Sequence, residues 1–232
     1  MNIVILTGAG ISAESGLETF RAEAGLWDGY QIEDVCTPGA FARAPDRVCQ
    51  FYDERKLLAT QAQPNAAHLA LADLEGFWQE HRRGDFLLVT QNVDDLHERA
   101  GSHNLIHMHG ALNSTYCIDC GYHGPRFNAL EDDRECPSCG RDMLRPDIVF
   151  FGETPRSLPK IYEALRACDV FVAIGTSGQV YPAADFVQMA NSFGARTVLM
   201  NLELHGSSAV FDDCQIGNAT DVVPRWTAGM MI

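Results

Sequence analysis

Four cysteines fall in two tight pairs, Cys117/Cys120 and Cys136/Cys139, with fifteen residues between the pairs. That C-x2-C-x15-C-x2-C spacing lies within the range of a tetrahedral zinc site. Gly121 and Gly140 follow the pairs, which suits the left-handed backbone of a tight turn. The stretch between them (YHGPRFNALEDDRE) is polar and lacks a long apolar face, so a bound metal would supply its stability. Four thiolates fill the shell of zinc and leave no position for water. The expected site is therefore structural rather than catalytic. A redox or disulfide pairing is the alternative, but it belongs to short secreted scaffolds more than to a chain of 232 residues. Cys36, Cys49, Cys168 and Cys214 stand alone in sequence and are expected to be buried free thiols.

Three other stretches could do chemistry. Gly8-Ala9-Gly10-Ile11-Ser12-Ala13 fits G-x-G-x-x-A after an apolar run. Such a turn lets backbone approach a pyrophosphate at a helix N-terminus, although a packed strand-to-helix turn has the same look. The acid that holds a ribose in dehydrogenases should follow about 20 residues on, at the end of a second strand. Asp28 and Glu33 lie near there, but their surroundings do not read as a strand, so the dehydrogenase pattern fails. Gln91, Asn92 and Asp94 follow an apolar run ending at Thr90, where open α/β sheets bind ligands; a capped loop is the plain alternative. His107 and His109 alternate in what reads as one short strand, which would put both on one face. Either could be a general base, a satisfied structural histidine or a metal ligand.

The elements that must position these residues alternate strand with helix. Strands are expected at Ile3–Thr7, Phe86–Thr90, Leu105–Met108, Asp147–Phe150, Val170–Ile174 and Thr197–Asn201. Helices are expected from about Ile11, over Asp46–Gln61 and Ala66–His81, after Pro159, over Ala183–Phe193 and over Thr220–Trp226. This alternation implies an α/β fold with a doubly wound parallel sheet, interrupted by the cysteine segment at about Asn113–Leu144. Repeats and low-complexity tracts are not evident.

Composition narrows the function classes. With 46% hydrophobic and 21% charged residues the chain is ordinary for a globular protein. A formal net charge of −14 argues against non-specific nucleic-acid binding, which needs a basic face. No apolar run is long enough to span a bilayer, the start lacks the pattern of a secretory signal, and free thiols suit a reducing cytoplasm. The expectation is a cytoplasmic monomer with no nucleic-acid or membrane partner.

Together these motifs resemble the sirtuin family. The segments are GAGISAESG (Gly8–Gly16), TFR (Thr19–Arg21), TQNVDDLHERAG (Thr90–Gly101), HMHG (His107–Gly110), the four cysteines, RPDIVFFGE (Arg145–Glu153), GTSGQVYPAA (Gly175–Ala184) and NLE (Asn201–Glu203). They occur in family order across essentially the whole chain. The likeness is greatest to bacterial class III sirtuins, NAD-dependent protein-lysine deacylases of the desuccinylase and demalonylase type.

The resemblance implies one catalytic domain. Residues 1–112 and 145–232 would form a Rossmann-like NAD-binding part with helices on both faces of the sheet. Residues 113–144 would form an inserted zinc-binding module, joined in the small domain by helices at about 38–62. The implied reaction consumes NAD: the acyl oxygen of a modified lysine attacks the carbon that bears nicotinamide, and a histidine takes a ribose proton. The acyl group then leaves on ADP-ribose. His109, directly before Gly110, matches the catalytic base, and His107 is the weaker candidate. Gly8, Ala9, Gly10, Ser12, Phe20 and Arg21 match pyrophosphate and nicotinamide contacts. Gln91, Asn92 and Asp94 match the nicotinamide-ribose end, and Gly175, Thr176 and Ser177 match phosphate and ribose contacts. Asn201, Glu203 and Ala219 match the adenosine end. Val149, Phe151, Gly152 and Glu153, with Val180 and Tyr181, match two strands that sandwich an extended acyl-lysine peptide.

Tyr52 and Arg55, three apart on an expected helix, match the Y-x-x-R pair that receives the carboxylate of succinyl- and malonyl-lysine. Cys36 stands where that class has alanine, which would narrow the acyl pocket. Cys117, Cys120, Cys136 and Cys139 match the ligands of one structural zinc ion. Mono-ADP-ribosyl transfer to protein and a non-catalytic acyl-lysine binding module are the other two readings.

Overall fold

Ile3–Thr7 (IVILT) is apolar and largely β-branched, and all five residues are buried, as a strand covered on both faces requires. A computed structural model describes residues 1–19, 26–27, 29–130, 133–204 and 206–232. In chain order its first half holds β1 (Ile3–Thr7), β2 (Leu26–Trp27), β3 (Tyr30–Gln31), α1 (Ile32–Val35), α2 (Pro38–Arg43), α3 (Pro45–Gln61), α4 (Ala66–Glu80), β4 (Phe86–Thr90), α5 (Leu96–Ala100) and β5 (Leu105–His107). There follow β6 (Gly110–Cys117), β7 (His123–Pro125), β8 (Leu144–Ile148), α6 (Leu158–Ala167), β9 (Val170–Ile174), α7 (Phe186–Ser192), β10 (Arg196–Asn201), β11 (Asp213–Ile216) and α8 (Ala219–Met230).

Six strands form one parallel sheet in the order β11-β10-β9-β1-β4-β5. Counted within this sheet the order is 6-5-4-1-2-3, that of doubly wound dinucleotide-binding sheets, and it reverses between β1 and β9. The side chains divide by the strand period of two. Val4, Leu6, Leu87, Val89, Phe171 and Ala173 pack on one face with Ile161 and Leu165 of α6 and Phe186 of α7. Ile3, Ile5, Phe86, Leu88, Val170 and Val172 pack on the other with Leu71, Leu74 and Trp78 of α4 and Val222 of α8. Helices on both faces of a parallel sheet are thus observed.

A third cluster forms a smaller core from Val48, Phe51 and Tyr52 of α3, Leu112 and Cys117 of β6, Cys136, and Phe150. Its sheet is antiparallel, in the order β7-β6-β8. The strand expected at Asp147–Phe150 is instead Leu144–Ile148, and it joins this small sheet rather than the parallel one. As an edge strand it tolerates Pro146.

Other expectations are corrected. No α-helix begins at Ile11; two single 3₁₀ turns follow, Ala9–Ile11 and Ala13–Ser15, and Gly16 in the left-handed region (φ 88°) ends them. The cause is lateral bonding: the Ser12 hydroxyl donates across to Asp94 Oδ2 at 3.1 Å. Ala183–Phe193 divides into a 3₁₀ turn and α7. His107 and His109 do not share a strand face, since β5 stops at His107 and a turn precedes Gly110. Cys36, Cys49 and Cys168 are buried free thiols, but Cys214 is only half-buried. Glu33 lies in α1, away from any parallel strand, and Asp28 falls outside the described residues. Among the described residues no helix is long and apolar enough to cross a membrane.

Candidate active site

Gly8 and Gly175 end the two strands that flank the reversal of the sheet, and their loops touch. Gly8 N donates to Ile174 O at 2.9 Å, and Gly10 N donates to Gly175 O at 2.9 Å. A Cβ on Gly10 would lie 2.7 Å from Gly175 Cα, so only glycine permits this approach. At the adjoining end of β4, Gln91 Nε2 donates to Thr176 Oγ1 at 3.1 Å, and Asn92 Nδ2 donates to Gly8 O at 3.1 Å. Asn201, at the end of β10, donates from Nδ2 to Thr176 O at 3.0 Å. The carboxyl ends of four neighbouring strands are thereby tied into one rim.

Below that rim opens a cleft of about 980 Å³, ample for a dinucleotide-sized ligand. Gly8, Ala9, Gly10 and Ser12 line it, as do Gln91, Asn92, Asp94 and His109. So do Gly175, Thr176, Ser177, Asn201, Glu203 and Ala219. Phe20 and Arg21 fall outside the described residues. Val149, Phe151, Gly152, Glu153, Val180 and Tyr181 also line the cleft, but as extended and turn segments rather than strands. Phe151 and Tyr181 are exposed.

Two histidines two residues apart have opposite surroundings. His109 Nδ1 donates to Gln91 O at 3.2 Å, which leaves Nε2 as the ring's basic atom. Burial, opposed in part by that hydrogen bond, holds its pKa below the ordinary histidine value. His107 is not part of the cleft wall. Its Nδ1 faces Asn92 O at 3.0 Å, and its Nε2 faces Glu98 Oε1 at 2.7 Å. The segment around His109 is clamped from outside: Val149 N donates to His109 O, and Arg156 N to Met108 O, both at 2.9 Å.

One side of the cleft is formed by α3 and the α1–α2 junction. Cys36 and Arg55 line it. The Arg55 guanidinium lies 4.1 Å from the Phe51 ring centre, with Nη1 bound to Phe51 O at 3.0 Å and to Glu54 Oε2 at 3.1 Å. Tyr52 is fully buried behind this wall, and its hydroxyl donates to Cys36 Sγ at 3.1 Å. Among the described lining residues Arg55 is the only cation, against Glu14, Glu18, Asp94, Glu153 and Glu203.

Sequence reasoning missed several parts of the site. Phe150 packs beside Tyr52, and the buried Arg145 stacks on it at 4.2 Å while binding Glu153 Oε2 at 2.7 Å. Glu14 lines the cleft and caps α8 by accepting from Thr220 N at 3.0 Å and Thr220 Oγ1 at 2.6 Å. His68 and His97 meet edge to face beside the glycine turn, 4.8 Å between ring centres with the planes at 60°. His97 Nε2 meets Thr7 Oγ1 at 3.0 Å. Asn65 three residues before His68 was a readable capping signal; the contact with His97 was not.

The four expected ligand cysteines converge. Their sulfurs lie within 4.8 Å of one another, with Cys117–Cys139 at 3.8 Å and Cys120–Cys136 at 3.7 Å. A zinc–sulfur bond of about 2.3 Å requires a tetrahedral edge of about 3.8 Å, so the residues fit the ion. The two halves repeat one turn: Gly121 N donates to Cys117 O at 3.0 Å with Gly121 at φ 73°, and Gly140 N donates to Cys136 O at 2.8 Å with Gly140 at φ 68°. Among the described residues this is the one such cluster.

A nucleotide-sized cleft at the reversal of a doubly wound sheet, beside a tetrathiolate module, defines an α/β enzyme of the NAD-binding kind with a structural zinc site. The model of the Sir2 family matches residues 8–182, and the chain belongs to that family. The NAD-dependent protein deacylase of Bdellovibrio bacteriovorus is 53% identical over 228 residues, covering 97% of this chain and 94% of the relative. A solved Sir2 homologue in complex with NAD has a TM-score of 0.89 at 36% identity, covering 100% of this chain and 91% of its own. A Sir2 structure with a p53 peptide and NAD+ has a TM-score of 0.81 at 28% identity, covering 99% and 93%.

Proposed function

We propose that this NAD-dependent protein deacylase removes succinyl and malonyl groups as well as acetyl from lysine side chains. The observation that carries the reading is Arg55, the one cation among the described residues of the cleft wall, whose other charged side chains, Glu14, Glu18, Asp94, Glu153 and Glu203, are all acids. An acyl group ending in a carboxylate gains a charge-assisted hydrogen bond there, worth on the order of 1.5–3 kcal/mol, or one to two decades of preference.

NAD supplies the leaving nicotinamide and the ribose that accepts the acyl group. The backbone of Gly8–Gly10 and Gly175–Ser177 cradles the pyrophosphate. Gln91, Asn92 and Asp94 orient the nicotinamide ribose, and Asn201, Glu203 and Ala219 hold the adenosine end. His109 Nε2 accepts a proton from a ribose hydroxyl and returns it later, and its lowered pKa keeps it neutral for that task at physiological pH. The acyl-lysine peptide lies extended against Val149–Glu153 and Val180–Tyr181, held through main-chain bonds with little sequence preference. One water is consumed, and the products are nicotinamide, O-acyl-ADP-ribose and free lysine. Cys117, Cys120, Cys136 and Cys139 hold zinc in a closed shell that leaves it no part in the chemistry.

The test is nicotinamide release with succinyl-, malonyl- and acetyl-lysine peptides, in the parent and in Arg55→Met. The variant is expected to lose ten- to hundredfold on the acidic acyl groups and no more than about threefold on acetyl. Equal losses on all three would refute the carboxylate role.

A further inference from the structure

His107 makes no part of the cleft wall, yet it is more tightly bound than the base two residues on. Its side chain is 14% exposed. The Asn92 carbonyl 3.0 Å from Nδ1 can only accept, and so can the ionised Glu98 carboxylate 2.7 Å from Nε2. Both ring nitrogens must therefore carry protons to satisfy both partners, which makes the ring an imidazolium. Asn92 O and Gln91 O are consecutive carbonyls of one loop. The first receives His107 and the second receives His109 Nδ1 at 3.2 Å. The side chain of Asn92 meanwhile reaches Gly8 O and Ser12 Oγ in the cleft wall at 3.1 and 3.2 Å.

We propose that His107, held doubly protonated by Glu98, is a positioning residue that fixes the Gln91–Asn92 backbone and through it the tautomer and aim of His109. A neutral His107 has one proton for two acceptors. Whichever partner it keeps, a lone pair then faces the other, and the loop carrying both carbonyls shifts. The charged and titratable groups around the ring are Glu98 and the neutral His97 on α5 and Asp94 on the loop after β4. Burial opposes the charge on His107, but the bonds to Glu98 and Asn92 O and the Asp94 charge outweigh it, and the pKa lies above the ordinary histidine value. With an acceptor on each nitrogen, His107 stands as a cation two residues from a base that donates from Nδ1 alone, and the cation keeps the base in place.

The inference rests on His109 as the base. It is tested by the pH dependence of kcat and by nitrogen NMR of the histidine rings in the whole protein. The parent should show both His107 nitrogens protonated at pH 7 and an alkaline fall in kcat as that ring loses its proton. Glu98→Gln removes the anion, so the fall should move about one pH unit toward acid, with KM for the peptide within twofold. His107→Arg keeps a permanent cation with donors for both acceptors and should abolish the fall. A His107 ring with a single proton at pH 7, or an unmoved profile in Glu98→Gln while His109→Asn is inactive, overturns the positioning role alone. Retained turnover in His109→Asn overturns the base and the inference with it.

Discussion

The hydroxyl of Tyr52 donates to the sulfur of Cys36 at 3.1 Å, so a thiol stands between the buried phenol and the cleft. Burial raises the pKa of both groups, and the thiol is a poor nucleophile. Its weight in the site is steric and dipolar. Cys36→Ala should deepen the pocket and turn the phenol toward the acyl chain. The expected result is a rise of about tenfold in kcat/KM for succinyl relative to malonyl, the scale of one methylene in a fitted pocket. Parallel peptide kinetics would check this, and an unchanged ratio would remove Cys36 from the acyl wall.

The contact between Gly10 and Gly175 predicts a loss of NAD affinity without a loss of fold. A Cβ on Gly10 meets Gly175 Cα at 2.7 Å and Gly175 O at 2.9 Å. Gly10→Ala should push the two loops apart and raise KM for NAD at least tenfold, leaving the melting temperature within a few degrees. Calorimetric titration with NAD reads the first effect and a thermal melt the second. Unaltered NAD binding would show that the loops do not form the cradle.

Acid should unfold this protein through its buried histidines. Burial lowers the His68 pKa from 6.5 to about 4, and His97 moves the same way. Between those values the unfolded chain binds a proton that the folded chain refuses, so stability falls as pH drops from about 6.5 to about 4. His68 alone accounts for on the order of 3 kcal/mol across that window. His107 runs the other way: its contribution is full below the ordinary histidine value and is lost as pH rises through its raised folded value. Melting temperatures between pH 4 and 7 should be flatter in His68→Gln than in the parent. Identical slopes would contradict the assignment.

Metal removal should act through structure. Chelation, or Cys120→Ser, is expected to unfold the β7-β6-β8 sheet and abolish turnover at the rate of zinc loss. Turnover and circular dichroism followed together during chelation would check the link. Full activity in metal-free protein with the sheet intact would break it.

How much of this was legible depended on whether neighbours along the chain carried the information. Phe86–Thr90 and Val170–Ile174 emerged with the expected ends because apolar residues fill both faces and polar or glycine residues stop them. The turns after Gly8 did not, since Ser12 bonds to Asp94, 82 residues away, and not along a helix. β11 has half-exposed, mixed residues and no period to detect. In the site, the cofactor positions expected among the described residues all line one cleft. What stayed hidden was each side chain defined by a partner beyond its own element: Arg145 on Phe150, Glu14 on Thr220, His107 on Glu98.

One strand, β6, begins at Gly110 beside His109 and ends at Cys117, a sulfur of the metal cluster. Eight residues of strand span about 23 Å, and β7 and β8 flank it on either side. The metal cluster lies at one end and the His109 imidazole beside the other, although the pairing with β8 shifts register between Gly110 and Thr115. An ion with a closed shell is thereby tied, through one strand, to the residue proposed as the base, much as a bearing at one end of a shaft bears on the other.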